Sequence, residues 1–224
     1  MRRLIAAVAA LAASVVLLTG CQSGLSETGE PLTIEQSELL AQTRFQVASQ
    51  GEVALEISVL PADDIQHLAF DVTLDPEGAA AWGTMSRGPE DLAVDETVAF
   101  TPEVFAALSN GQWQAVSFAE GPSAALAVVF SLGADRPENA QLLRQSDATY
   151  LGTVDVDGEQ QQVFRLPSVD GEGGASTRMW LDEDGRLKRL DAGDDDQLVV
   201  LLTDAEPQER PDGLDSLFGT DSDG

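Results

Sequence analysis

Residues 148–166, ATYLGTVDVDGEQQQVFRL, and residues 177–191, TRMWLDEDGRLKRLD, decide how this chain folds. In both, a stretch rich in β-branched, aromatic and leucine side chains runs into an Asp-Gly pair and out again into another such stretch. Asp-Gly supplies the positive φ angles of a tight hairpin turn, so Asp157-Gly158 and Asp184-Gly185 mark two returns of the chain. With the apolar run near the C-terminus, the spacing predicts five successive antiparallel strands: Ala148–Val156, Gln162–Leu166, Thr177–Leu181, Arg186–Asp191 and Gln197–Leu202.

Working towards the N-terminus, the same period of two recurs. Val53, Leu55, Ile57 and Val59 alternate with Ala54, Glu56 and Ser58. Leu68, Phe70, Val72 and Leu74 alternate with Ala69, Asp71 and Thr73. Such strands present one apolar and one polar face. Asp75-Pro76-Glu77-Gly78 is a turn, and further strands are expected at Ala80–Met85, Val94–Phe100 and Trp113–Phe118. Helical spacing of Ile34, Leu39, Leu40, Thr43 and Val47, with a Thr33/Gln36 capping box and Gly51 as a stop, predicts one helix before the strands. Pro102 suits the first position of a short helix reaching Leu108. A buried helix over Ser123–Leu132 and another over Asp135–Gln145 complete the elements.

The first 20 residues read as an export signal. Arg2 and Arg3 precede an uncharged 15-residue run, Leu4–Leu18, too short to remain as a membrane span. It ends in Leu18-Thr19-Gly20-Cys21, which resembles the lipobox of bacterial lipoproteins. That resemblance implies lipidation of Cys21 as the first mature residue and a cell-membrane anchor on the extracytoplasmic face. Two acyl chains make such an anchor durable. Residues 21–32 read as a flexible tether, 33–205 as the folded domain, and 206–224 as an acidic disordered tail.

Composition excludes several functions. The 224 residues hold 39 acidic against 12 basic side chains, for a net charge of −27. Phosphate backbones are repelled by so negative a chain, so no nucleic-acid partner is expected. One Cys allows no internal disulfide, and one His allows no multi-histidine metal site. Acidic groups at Asp155 with Asp157, Asp182–Asp184 and Asp194–Asp196 offer calcium-type oxygen ligands. The EF-hand spacing is incomplete, however, and Asp-Gly turns account for them. His67 lacks partners for catalysis, and Ser123 lacks the nucleophile elbow. Carboxylates are abundant enough for a carboxylate-only hydrolase, but none stands out. No enzyme, no metal and no cofactor is expected. Trp82, Trp113 and Trp180 could stack on sugars, and half-burial against a sheet explains them as well.

The order lipobox, tether, helix, strands, central helices, strands resembles the mycobacterial LppX/LprG-type lipoproteins and the wider LolA-like class. The closest local similarity runs from Tyr150 to Gly158, then Val163–Leu166, Thr177–Asp182 and Gly185–Leu187. The resemblance implies an α+β fold: a curved antiparallel sheet, or half-barrel, with helices packed on its concave side. It further implies a monomeric, non-catalytic carrier that binds or transfers a lipid or lipoglycan in an apolar cavity, with an envelope transporter as a further partner. Val53, Leu55, Ile57, Phe70, Val72, Leu74 and Phe100 are the residues expected to line that cavity. The same seven positions equally describe a filled core. A filled core would suit an envelope scaffold that binds another protein and no lipid. The short stretch between Phe118 and Asp147 points to a small helical cap.

Overall fold

A computed structural model describes residues 24–60, 67–88, 94–116, 126–167, 177–193 and 197–218. Cys21, the export signal, Ser123 and Asp194–Asp196 lie outside the described residues.

Twelve strands form one antiparallel sheet: β1 (Glu30–Pro31), β2 (Val53–Val59), β3 (Leu68–Asp75), β4 (Ala80–Arg87), β5 (Val94–Phe100), β6 (Phe105–Ser109), β7 (Gln112–Val116), β8 (Thr149–Val156), β9 (Glu159–Arg165), β10 (Thr177–Leu181), β11 (Leu187–Ala192) and β12 (Leu198–Leu202). Their spatial order is β1-β8-β9-β10-β11-β12-β2-β3-β4-β5-β6-β7. The C-terminal meander is therefore stitched to the N-terminal one through β12 and β2, with Val200 opposite Ile57. The sheet stays open, with β1 and β7 at its edges. Helices α1 (Ile34–Ser49) and α2 (Ala140–Gln145) and a 3-10 turn (Val128–Ser131) back its inner face, and a short α3 (Leu214–Phe218) ends the described chain. This is the α+β half-barrel with helices on the concave side that the resemblance implies.

Local chemistry explains the elements. Thr33 and Gln36 make the reciprocal capping box of α1, at 3.2 Å and 2.9 Å. Asp157 and Gly158 both have positive φ, 55° and 87°, and close the β8–β9 hairpin. Asp155 Oδ1 accepts from the Gly158 N–H at 2.9 Å, and Asp182 Oδ1 from the N–H groups of Asp184 and Arg186. These carboxylates thus serve the hairpin turns.

Strand alternation sends Leu55, Ile57, Phe70, Val72, Leu74, Val98, Phe100, Phe164, Met179, Leu190, Leu198 and Val200 inwards to one core. Leu40 and Val47 of α1, with Leu126, Val129 and Leu132 around the 3-10 turn, cover it. Burial at 126, 129 and 132 repeats every three residues, as 3-10 geometry requires.

Five expectations differ from the structure, the first being that most of the described part of the helix expected over Ser123–Leu132 is a 3-10 turn at Val128–Ser131. Phe105–Ser109 is a strand, not the short helix expected after Pro102. Thr101 Oγ1 accepts from the N–H groups of Glu103 and Val104, which makes a tight turn there. Phe105 then stacks on Phe100 with centroids 6.0 Å apart, drawing the chain back against β5. Helix α2 starts at Ala140 rather than Asp135 because Asn139 caps it, accepting from Gln141 and Leu142 N–H, while Pro137 disfavours helix before it.

The other two concern the chain ends. Residues 24–32, expected as a free tether, are docked. Glu30 and Pro31 pair with Tyr150 and Thr149, the Ser26 N–H donates to Leu151 O at 2.7 Å, and Leu32 is buried in the main core. Residues 206–218, expected as disordered, lie on the outer face. The indoles of Trp82 and Trp113 donate to the carbonyls of Gln208 and Asp212, both at 3.0 Å. Leu214 is buried with Ala80, Trp82 and Ala99. Composition signals disorder only when nothing apolar is there to be covered, and here an outward-facing Trp82 needs a cover.

Candidate functional site: an apolar groove under the helices

Helix α1 reaches the sheet through the β10–β11 turn. Thr43 Oγ1 is 3.2 Å from both Leu39 O and Gly185 O, so one hydroxyl serves its own helix and the turn beneath it. Gly185 has φ +79°, and a Cβ there would stand 2.7 Å from Leu39 Cδ1. Only glycine permits both the turn and this approach.

The next residue of α1, Arg44, ties the helix to the segment that follows the 3-10 turn. Its Nη1 pairs with Glu138 Oε1 at 2.7 Å. Its Nε donates to Ser131 O and its Nη2 to Gly133 O. Backbone bonds run alongside, from Glu138 N–H to Ala41 O at 2.9 Å and from Ala134 N–H to Arg44 O at 3.1 Å. Arg44 and Glu138 are each about one-third exposed (32% and 31%).

Between this strap and the sheet lies an open groove of about 560 Å³. Leu40 forms its α1 wall, Ala127 and Val128 its roof, Leu143 its α2 wall, and Leu166, Pro167, Met179 and Leu190 its floor and rim. Arg44 and Glu138 are the charged residues of the lining; Ser131 and Thr177 add hydroxyls. Its volume falls within the roughly 300–1,000 Å³ of small-molecule sites, which are likewise apolar with a few polar groups. An open, mostly apolar slot of this kind suits a hydrocarbon chain, and the Arg44–Glu138 pair supplies its charged groups.

A second hollow of about 530 Å³ sits on the opposite, outer face of β2–β5 and β12. Glu56, Asp71 and Asp95 make its lining acidic, and His67, exposed, contacts Ser58 Oγ there. The same face carries Asp191, almost wholly buried and held in a two-point bond by Arg189 at 2.6 and 2.9 Å. Arg178 and Arg189 both lie against the Trp180 ring, 5.4 and 4.9 Å from its centroid. Among the described residues, no group of three or more His, Cys, Asp and Glu side chains could hold a metal ion.

The seven apolar residues singled out from sequence occupy one layer. Val53, Leu55, Ile57, Phe70, Val72, Leu74 and Phe100 are at most 7% exposed and pack together in the main core. Phe100 is in edge contact with Phe70 and Phe130, at 6.2 and 5.8 Å. None of the seven lines the groove. The groove draws instead on the β9–β11 half of the sheet. Its residues escaped notice because Met179 and Leu190 read as ordinary strand positions. The available signal was Leu40 and Arg44, four apart on α1 and therefore on one face.

No protein-family model matches the chain, and no curated protein is similar to it in sequence. Several solved structures are similar to it. LprF from Mycobacterium bovis is 18% identical, over 82% of this chain and 98% of that one, with a TM-score of 0.47. The lipoprotein LppX from Mycobacterium tuberculosis is 14% identical, over 77% and 97%, at 0.44. A LolA-superfamily protein from Nitrosomonas europaea is 11% identical, over 84% and 97%, at 0.29. The chain is similar in structure to each of these three proteins.

Proposed function

We propose that this is a lipid-anchored protein of the cell envelope that binds a lipid or lipidated glycan, and passes it on, without catalysing a reaction. The observation that carries this reading is the 560 Å³ apolar groove between α1, the 3-10 turn, α2 and β9–β11. Each methylene withdrawn from water contributes about 0.8 kcal/mol, so an acyl chain supplies its own affinity and needs no reactive group. Supporting it further, the charged residues of the lining stand paired with each other, so a polar head meets hydrogen-bonding groups and not a bare charge. The seven core residues, Val53 to Phe100, continue the apolar layer beyond the groove. In this reading a long chain reaches them only when α1 and the 3-10 turn lift from the sheet.

The test is native mass spectrometry of residues 21–224 with Cys21→Ser, purified without detergent. We expect an acyl lipid bound one to one. Protein that is empty, and that also fails to bind an added fluorescent fatty-acyl probe, would overturn the proposal in favour of a scaffold with a filled interior. Val128→Asp places a charge in the groove roof at a half-buried position. It should weaken probe binding about tenfold, the equivalent of two methylenes no longer buried, with the thermal midpoint little changed. For the anchor, Cys21→Ser in the cell should leave the precursor uncleaved or release the protein. Unaltered membrane retention would refute it.

A further inference from the structure

The docking of residues 24–32 changes what an anchor at Cys21 would do. Were 21–32 a free tether, the body could stand well off the membrane, since an extended chain spans about 3.3–3.6 Å per residue. The segment is instead held along its length. Leu25 packs on Leu151, Val163 and Trp180 of the outer face. Ser26 N–H bonds to Leu151 O, Arg165 Nη2 donates to Glu27 O at 2.6 Å, and β1 pairs with β8. Only two residues, Gln22 and Ser23, then separate Cys21 from Gly24, a reach of about 11 Å at most over three steps of the chain.

That short link leaves the protein beside one particular surface. The outer face of β8–β10 carries the docked segment, and it also carries Arg165 and Arg178, opposite one another in register, with Arg189 beside Trp180. These are three of the ten basic residues that follow Cys21, and Arg178 and Arg189 share the buried Asp191 between them. The rim of the groove is close by. Leu166 and Pro167 directly follow Arg165, and β9 is separated from β1 by β8 alone, about 10 Å at ordinary strand spacing.

We propose that the outer face of β8–β10 is the surface held against the bilayer, which brings the strand ends at Leu166, Pro167 and Thr177, where the groove has its rim, to the margin of that contact. The protein then exchanges cargo with its own membrane in place and does not reach across the envelope on a tether. This rests on the proposed lipidation of Cys21, but not on the presence of cargo.

Residues 21–224 can be coupled through the thiol of Cys21 to a maleimide lipid in phosphatidylcholine vesicles that contain a dansyl-headgroup lipid. Energy transfer from tryptophan to dansyl is the readout. Trp180 lies on the proposed contact face, and Trp113 is on β7, eight strands away in the sheet order. Trp180→Phe should remove most of the transfer and Trp113→Phe little. A second change leaves the folded body untouched: ten Gly-Ser residues inserted between Ser23 and Gly24. With a root-mean-square span of about 18 Å, the insert should lower transfer more than about twofold. Equal contributions from Trp180 and Trp113, or transfer unaltered by the insertion, would overturn the proposal. Coupling is chemical and no cargo is added. Failure here is therefore distinct from failure of the lipid-binding reading or of lipidation in the cell.

Discussion

Two residues do work that their type alone would not reveal. Gly185 sits at positive φ beneath Leu39, so Gly185→Ala meets both a left-handed backbone and a contact of 2.7 Å. A loss of about 1–3 kcal/mol is expected, read as a lower urea midpoint, and the groove's α1 wall should loosen with it. Asp191 is a carboxylate buried in the outer face, fixed by Arg189. Asp191→Ala leaves the partly buried guanidiniums of Arg178 and Arg189 without it and should cost about 1–3 kcal/mol in chemical denaturation. The Asp-Gly signal that located Gly185 was legible in the sequence. The contact with Leu39, 146 positions earlier, was not, because it exists only once α1 is laid on the β10–β11 turn.

At the level of elements, the chain's two ends act as covers. The C-terminal segment closes over Trp82 and Trp113, and the N-terminal one over Leu151, Val163 and Trp180. Leu214→Ala removes the buried anchor of α3 and should destabilise the segment by about 2–3 kcal/mol, visible as a red shift of tryptophan emission before global unfolding. Removing residues 206–224 should go further, exposing Trp82 and promoting dye binding to apolar surface. Stability unaltered by either change would show that the cover contributes nothing. Nearly every strand was legible from its period of two. β6 was missed because Pro102 at a helix start and Pro102 in a tight turn look alike, and the stacking of Phe105 on Phe100 decides between them.

For the whole molecule, charge and shape separate. A net charge of −27 repels itself in the folded state, and salt screens that repulsion. Raising ionic strength from about 0.01 M to about 0.15 M shortens the screening length from about 30 Å to about 8 Å, so the thermal midpoint should rise. A midpoint that falls with salt would mean that the paired arginines outweigh the surplus acid. The groove is also a property of the whole, since its walls come from α1, the 3-10 turn, α2, the chain just after β9, and strands β10 and β11.

By itself, the sequence determined the alternation of faces, the hairpins, the capping box of α1 and the lipobox-like segment ending at Cys21. All of these depend on neighbours within a few positions, where periodicity and backbone preference act. Tertiary structure alone decided where the sheet would leave a space. Seven apolar residues of β2, β3 and β5 and the residues of β9–β11 look equivalent as strand patterns. Only the placing of α1 and the short 3-10 turn covers the first set and leaves the second facing a groove, because packing is a property of what lies opposite and not of the strand itself. The same reason hid the docked ends: a polar, proline-bearing segment is ordered when a folded surface offers it indole donors and an apolar face to cover.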